Sequence, residues 1–288
     1  MSLQWAAWST VDCGVQQATE IAPRTISLRN MEICEEGADW TIRLVETRDK
    51  IQAACDLVNN RYAWRGYGAS HRIPLGANHM TFTAEVDDEV VGTITLAADS
   101  PRGLAVDHAF KDEMDGFRAL QGTKVCELTK FAFDPGVQSK ELMAALFHVV
   151  FVYGHRTHGC TDLFIEVNPR HVRFYEAMLG FQAVGPLKVN QSVAAPAQLM
   201  RLRISAIRRS IDLFAGRGDR PNARSLYPYF FSPMQEASIY NRLAQGHDQI
   251  DTPLELAASS SPCAFNSIGS GQTASPARPS GPPGRVIQ

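Results

Sequence analysis

The fold is decided by the stretch VNPRHVRFYEAMLGF, which occupies residues 167–181. It begins at the end of an apolar run that is typical of a strand. Asn168 and Pro169 follow, and they suit the N-cap and the first position of a helix. Gly180 suits the end of that helix, because glycine is the usual residue just past a helix C-terminus, and Phe181 opens a further apolar run. The stretch therefore predicts a strand, a short helix and a second strand in immediate succession.

The sequence on either side of this stretch alternates between strand and helix signals. Before it, the hydrophobic periods predict strand 40–45, helix 51–58, strands 79–86 and 90–97 joined by an acidic turn, helix 107–120, strand 124–133, helix 139–155 with Ser139 as N-cap, and strand 162–167. After it come a strand from residue 181, a strand over 198–204, a helix ending at Gly216 and a helix over 234–243. This order predicts an α/β protein with a mixed sheet flanked by helices.

Composition divides the chain into four parts. Residues 1–36 show no sustained periodicity and are predicted to form a flexible lead-in, residues 37–215 hold the α/β domain, and residues 216–256 form a C-terminal extension with a short helix. Ser, Pro and Gly dominate residues 257–288. Such a segment buries too little apolar surface to offset the entropy lost on ordering, so we predict a disordered tail.

The composition also argues against several classes of protein. The 288 residues include 28 basic and 30 acidic side chains, whereas proteins that bind nucleic acid through its phosphates usually carry a basic excess. The 6 cysteines form no C-x-x-C pair and the 8 histidines lack metal-ligand spacing, which indicates reduced thiols and no metal. The sequence shows neither a signal-peptide pattern nor an apolar run long enough to span a bilayer. We predict a cytoplasmic protein without a metal, a nucleic-acid partner or a transmembrane segment.

Two charged residues occur in the strand 125–133, which helices on both sides should bury. Strict alternation places Glu127 on one face with Phe131 and Phe133, and Lys130 on the other face with Ala132. A desolvated carboxyl group has a raised pKa and suits a general base for an amine nucleophile. The alternative is that both charges lie near the strand ends and form structural ion pairs.

A tyrosine and an aromatic cluster are further candidates. Tyr175 suits hydrogen bonding to a leaving thiolate, because its hydroxyl is a donor with a pKa of about 10, and a core aromatic with a satisfied hydroxyl is the simpler alternative. The segment NRYAWRGY, residues 60–67, brings Arg61 and Trp64 together with further aromatics. It suits a pocket in which arginine binds a carboxylate, and equally a surface loop that covers the core.

The turn after the central strand bears on the acyl donor. Its sequence DPGVQSK, residues 134–140, holds one glycine and one lysine, and Pro135 removes a backbone donor. A nucleotide pyrophosphate is commonly bound by the N–H groups of a helix N-terminus, and this turn is poorly built for that purpose. Arginines concentrate in residues 201–224, which suits either docking of an acidic carrier protein or an ordinary solvated face.

Three segments together resemble a known family: residues 89–104, residues 126–132 and the deciding stretch 167–181. The last resembles the final helix–strand unit of GNAT-type N-acyltransferases, although Gly180 lies five residues after Tyr175 where acetyltransferases commonly have four. The combination resembles the long-chain N-acyl amino acid synthases, relatives of the acyl-homoserine-lactone synthases. The segment 126–132 is similar to the Glu-x-Ser-Arg-x-Ala strand of the lactone synthases, with Lys130 in place of the arginine.

This resemblance, which covers roughly residues 40–205, implies a GNAT-like fold with splayed central strands. It implies transfer of a long-chain acyl group from acyl carrier protein to the amine of an amino acid, with Glu127 and Tyr175 as catalytic residues. The oxyanion would be held by backbone N–H groups of the strand 127–133, and the acyl chain would lie between that strand and 162–167. Substrate binding is expected at Arg61, Trp64, Lys130, Phe131, Ala132, Phe133, Asn168 and Arg173, and carrier-protein docking at Arg201, Arg203, Arg208 and Arg209.

No bound cofactor is expected beyond the acyl thioester donor. Three alternatives stay open at this stage: a signal synthase of the acyl-homoserine-lactone type, an N-acyltransferase that uses acyl-CoA, and an inactive fold that binds acyl groups.

Overall fold

The computed structural model describes residues 26–27, 32–35, 40–68, 70–137, 139–217 and 224–250. Most of the predicted lead-in and the whole of the predicted tail, 257–288, lie outside the described residues.

From residue 40 onward, strands and helices follow one another in the predicted order. The strands are β1 (Ile26–Ser27), β2 (Glu32–Glu35), β3 (Trp40–Leu44), β4 (His79–Val86), β5 (Glu89–Ala98), β6 (Val125–Phe133), β7 (Asp162–Val167), β8 (Gln182–Asn190) and β9 (Ala195–Arg203). The helices are α1 (Arg48–Ala63), α2 (Asp107–Arg118), α3 (Lys140–Arg156), α4 (Val172–Leu179), α5 (Ile204–Phe214) and α6 (Pro233–Ile250). α6 is longer than the predicted helix 234–243.

The strands form one sheet in the order β1-β2-β3-β4-β5-β6-β7-β9-β8. β6 and β7 are parallel neighbours, and the other pairs are antiparallel. This mixed sheet confirms the predicted fold class. β1 and β2 lie within the segment that we expected to lack regular structure. They extend the sheet edge by pairing with β3, and strands of two and four residues are too short to show a period in the sequence.

Local sequence signals set the ends of several elements. Asp87 and Asp88 both have positive φ, as the two-residue turn between β4 and β5 requires. Ser139 is the N-cap of α3, since its hydroxyl accepts a hydrogen bond from the Leu142 N–H at 3.1 Å. Asn168 caps a short 3-10 turn, Pro169–His171, that leads into α4, and Gly180 ends α4 with φ of 81°. The predicted helix of the deciding stretch therefore begins as a 3-10 turn.

The helices cover both faces of the sheet. α1 and α2 pack on one face, and α3 and α5 pack on the other. Every residue from Leu142 to Gly154 in α3 is buried, because the sheet covers one side of this helix while α5, α6 and residues 226–231 cover the other.

A buried carboxylate joins the described part of the predicted C-terminal extension to α3 and α5. Glu236 of α6 is 2% exposed and accepts two hydrogen bonds from Arg208, at 2.7 and 2.6 Å. His148 of α3 accepts the Phe231 N–H at its Nδ1, so the neutral ring carries its proton on Nε2, which lies 3.4 Å from Glu236. Residues 226–241 thus complete the core around α3.

Candidate active site

The central strand β6 contains a bulge at Lys130 that changes which side chains share a face. Lys130 has φ of 53°, and the pairing of β5 with β6 shifts between Thr93–Ala132 and Thr95–Thr129. Phe131 therefore packs on Phe147 of α3, at 5.0 Å between ring centroids. The sequence prediction of strict alternation was wrong here.

The bulge brings Lys130 to the face that carries Glu127. Ala132 packs with residues of α1 on this face. Glu127 is close enough to Lys130 for its charge to raise the pKa of the Lys130 ammonium. Phe131 and Phe133, which the alternation had placed beside Glu127, lie on the α3 face. The extra residue of the bulge reverses the alternation for the rest of the strand.

β6 and β7 separate immediately after Glu127. Their register pairs Val125 with Asp162, Cys126 with Leu163 and Glu127 with Phe164, and it ends there although both strands continue. The edge of β6 that faces β7 has no strand partner beyond this point in the described chain. Backbone N–H groups on such an edge are available to bind an oxyanion.

Glu127 lies at this point of separation and is 2% exposed. Its Oε2 accepts a hydrogen bond from the Val106 N–H at 3.2 Å, at the start of α2. Burial raises the pKa of Glu127 to about 8, with Glu166 and Asp107 adding to the effect and the N–H groups of Val106 and Ala105 opposing it. Within the described ranges Glu127 forms no salt bridge, in contrast to the structural ion pair that the sequence left open.

Lys130 is the nearest cation to Glu127 on β6. Burial lowers its pKa, and the charge of Glu127 partly offsets this effect. The side chain is half-buried and makes no salt bridge with any residue that the structure describes. Its ammonium is thus available to a negatively charged group of a ligand.

A second carboxylate, Glu166 of β7, lies on the same face as Glu127. Glu127 is level with Phe164, and Glu166 is two residues further along β7, so the three share one face. Burial raises the pKa of Glu166. Sequence reasoning missed this residue, although a charge inside the otherwise apolar part of the strand DLFIEV is the same signal that identified Glu127.

Tyr175 lies near the C-terminal end of α1. Its ring contacts Phe174 and Phe181, at 5.1 and 5.9 Å between centroids, and its pKa is raised by burial and by the neighbouring Tyr62, while Arg65 opposes the shift. The hydroxyl consequently stays protonated at physiological pH and can donate a hydrogen bond.

Arg65, which the sequence analysis did not single out, is the arginine whose charge acts on Tyr175. Arg65 lies 3.4 Å from His171 Nε2, which also accepts a hydrogen bond from Arg170 Nε at 3.1 Å. Burial and the two arginines lower the pKa of His171 to about 4, so the ring is neutral. Arg61 instead stacks on Trp64 at 5.5 Å.

The remaining predicted substrate-binding residues lie at different depths. Trp64 is 65% exposed, Arg173 is also exposed, and Asn168 acts as a cap by accepting the Arg170 N–H. The family resemblance grouped these three with the site, and their role in substrate binding stays a prediction.

An apolar cavity lies behind the opening, on the α3 face. It is lined by side chains of β6, β7, α3 and α5, among them Leu128, Leu163 and Val150, and its surface is almost entirely apolar. In this structure it has room for little more than one water molecule. A hydrocarbon chain would therefore enter it only if these side chains moved apart.

The N-terminus of α3 is occupied by the protein's own groups. The Gly136 N–H donates to the Asp134 carboxylate at 2.6 Å, and the Leu142 N–H donates to Ser139. Asp134 and Glu141 add negative charge to this turn. Both features oppose binding of a pyrophosphate there.

Comparison with known proteins adds the family to this geometry. The family model described as N-acyl amino acid synthase FeeM matches residues 53–203. The chain belongs to this family. It is therefore an N-acyltransferase with a GNAT fold that uses an acyl thioester donor, as the sequence resemblance had implied.

Solved structures show the same fold. FeeM, an N-acyl amino acid synthase from uncultured soil microbes, is 29% identical, with a TM-score of 0.54 over 59% of this chain and 94% of that chain. The chain is also similar to an acyl-CoA N-acyltransferase from Pseudomonas aeruginosa, with 16% identity and a TM-score of 0.41 over 57% of this chain and 97% of that chain. It is similar to the AHL synthase LasI as well, with 12% identity and a TM-score of 0.41 over 57% of this chain and 90% of that chain. No curated protein matches the chain significantly.

Among the described residues, no helix has the length and apolar character needed to cross a membrane. Within the same residues, no group of three His, Cys, Asp or Glu side chains is arranged to hold a metal ion.

Proposed function

We propose that this protein moves a long-chain acyl group from acyl carrier protein to the α-amine of an amino acid. The observation that carries the proposal is the position of Glu127, a buried carboxyl group with a raised pKa at the point where β6 leaves β7. A carboxyl group whose pKa is close to physiological pH suits the removal of a proton from an ammonium nucleophile.

The reaction follows from these groups. Glu127 takes one proton from the acceptor's ammonium, and the amine nitrogen attacks the thioester carbonyl carbon. Backbone N–H groups on the free edge of β6 stabilise the oxyanion that forms. The C–S bond then breaks with formation of the amide, and the second nitrogen proton reaches the thiolate, with Tyr175 as the donor nearest to the departing sulfur. Lys130 binds the carboxylate of the amino acid in this proposal.

The N-terminus of α3 supports a carrier protein as donor over coenzyme A. Asp134 and Ser139 already use N–H groups that a pyrophosphate would need. Phosphopantetheine on a carrier protein has no such pyrophosphate. The apolar lining of the cavity behind β6 suits a hydrocarbon chain, which would enter once these side chains move apart.

The docking surface for the carrier protein is narrower than the sequence suggested. Arg201 is bonded to Asp162 at 2.8 Å and Arg208 to the buried Glu236, so both stabilise the fold. Arg203 and Arg209 are exposed, and we propose these two for docking. We also propose a cytoplasmic location, which the free thiols of Cys55, Cys126 and Cys160 support.

Mass spectrometry with purified protein tests the proposal. Dodecanoyl carrier protein and dodecanoyl-CoA are supplied separately with the common L-amino acids, and Glu127→Gln serves as the inactive control. N-acyl amino acid formed from the carrier protein by wild type alone is the expected result. If product forms only from dodecanoyl-CoA, the donor is acyl-CoA and not the carrier protein. An acyl lactone would indicate a signal synthase, and no product from folded protein would indicate an inactive acyl-binding fold.

A charge reversal tests docking separately. Arg203→Glu with Arg209→Glu should weaken the affinity for dodecanoyl carrier protein by about tenfold or more and leave transfer from a short acyl-pantetheine unchanged. Unchanged affinity for the carrier protein would rule out this surface.

A further inference from the structure

We infer that Glu166 is a second carboxylate of the acceptor site, and that it holds the acceptor's ammonium group together with Glu127. This inference rests on the proposed function and adds to it a specific residue and the chemistry of the ligand, a primary ammonium.

The strand register places the two carboxylates on one face of the opening. Glu127 is level with Phe164 in the last pair that joins β6 to β7, and Glu166 follows on the same face of β7. The strands separate beyond this pair, so a ligand that enters the opening passes between one carboxylate on each strand. Glu166 is close enough to Glu127 for its charge to contribute to the raised pKa of Glu127.

A hydrogen bond fixes the orientation of the Glu166 carboxylate through one of its two oxygens. The Asn190 Nδ2 donates a hydrogen bond to Glu166 Oε1 at 2.5 Å. The Asn190 Oδ1 in turn accepts the Ser192 N–H at 2.8 Å, which fixes the amide so that its NH₂ group faces the carboxylate. In the described part of the chain no group bonds to Glu166 Oε2, and this oxygen is available to a ligand.

The charges around the pair favour a cation. The charges of Glu166 and Asp107 add to the raised pKa of Glu127, and the charge of Glu127 raises the pKa of Lys130. The charge of His108 lowers the pKa of Glu166. Asp107 is neutralised by Arg118, which it bonds at 2.8 Å. When both glutamates are ionised they form a pair of like charges beside Lys130 and His108, and a bound ammonium would relieve their repulsion.

An ammonium group carries three N–H donors, which is enough to bond both carboxylates at once. When Glu127 removes one proton, the nitrogen lone pair becomes free to attack the thioester. Glu166 keeps a hydrogen bond to a remaining N–H and so holds the nitrogen in place during the attack. Glu166 itself gains and loses no proton in this scheme.

The substitution Glu166→Gln tests the inference by two measurements. The acceptor KM should rise about tenfold or more, the cost of one hydrogen bond to a charged group, while the donor KM stays the same. The acidic limb of log kcat/KM against pH should move to lower pH by about one unit, because removal of a neighbouring negative charge lowers the pKa of Glu127. A merely structural role would leave the pH profile in place.

A matched control removes a carboxylate elsewhere on the same side of the sheet. Glu113→Gln deletes the ion pair with Lys188, between α2 and β8, without touching the opening. It should keep both the acceptor KM and the pH profile. Asn190→Ala, which frees Glu166 without changing its charge, should raise the acceptor KM in the same direction as Glu166→Gln.

Binding without turnover separates this inference from the proposed function. Saturation-transfer NMR with the common L-amino acids measures binding to wild type and to Glu166→Gln. Binding to wild type that is lost in the variant supports the inference even if no acyl transfer is seen, in which case only the proposed reaction fails. Binding of equal strength to both proteins, or to neither, would overturn the inference.

Discussion

Glu127→Gln should abolish turnover and at the same time stabilise the fold. The pKa of Glu127 is raised from 4.5 to about 8 by burial, so the folded protein holds a proton that the unfolded chain releases. Between these two pH values folding must take up a proton, and its cost grows as the pH rises. Glutamine keeps the shape and can still accept the Val106 N–H, but it carries no such cost.

The size of the effect follows from the shift. A pH of about 7.5 lies close to three units above the pKa of the unfolded chain, so the free-energy cost of taking up the proton is about 4 kcal/mol as an upper limit. For a domain of this size that limit corresponds to an increase in Tm on the order of 10 °C. The difference in stability between variant and wild type should shrink as the pH falls and vanish near pH 4.5, the ordinary pKa of a glutamate side chain.

Two assays check the reasoning on the same pair of proteins. Thermal unfolding across about pH 4.5 to 8 should show a stability difference that grows with pH, and the wild-type kcat/KM should rise with pH toward a plateau above about 8, whereas the variant loses about 10²- to 10⁴-fold of the activity. Asp112→Asn, an exposed change on α2, is the control and should alter neither property. The reasoning is refuted if Glu127→Gln is no more stable than wild type at pH 7.5, or if it retains full turnover.

Three further predictions concern other parts of the fold. Glu236→Gln should lower the Tm at neutral pH, because His148 and Arg208 hold the pKa of this buried carboxyl below its usual value and so stabilise the folded wild type. The Tm difference between the two proteins should narrow below about pH 4.5, as acid protonates the wild-type carboxylate. Measuring the Tm of both proteins across this acid range checks the prediction. Val150→Phe, which fills the apolar cavity, should shift the product spectrum toward shorter acyl chains in a mass-spectrometric competition, and an unchanged spectrum would place the chain elsewhere. Gly92→Ala should displace Phe133, since an added Cβ would lie 2.6 Å from its ring, and should lower stability by about 1–3 kcal/mol in denaturant titration.

The sequence identified several candidate residues of the site, but it did not predict how their side chains are arranged in space. Glu127 stood out because a charge in a buried strand needs a reason, and its burial with a raised pKa agrees with that argument. The face that it shares was misjudged, because alternation holds only in a regular strand and the bulge at Lys130 adds one residue. Arg65 was not singled out, because its proximity to Tyr175 and His171 depends on the tertiary structure and not on any local pattern.

The sequence by itself determined the order of strands and helices, the ends of α3 and α4, and the family. These features depend on residues close together in the chain: hydrophobic periods, the caps Ser139 and Asn168, and the stop at Gly180. Only the tertiary structure decided the neighbours of Glu127 and the bonding of Arg208 to Glu236. Strand register, the point where β6 leaves β7, and the docking of α6 join residues far apart in the chain, and no local period encodes them.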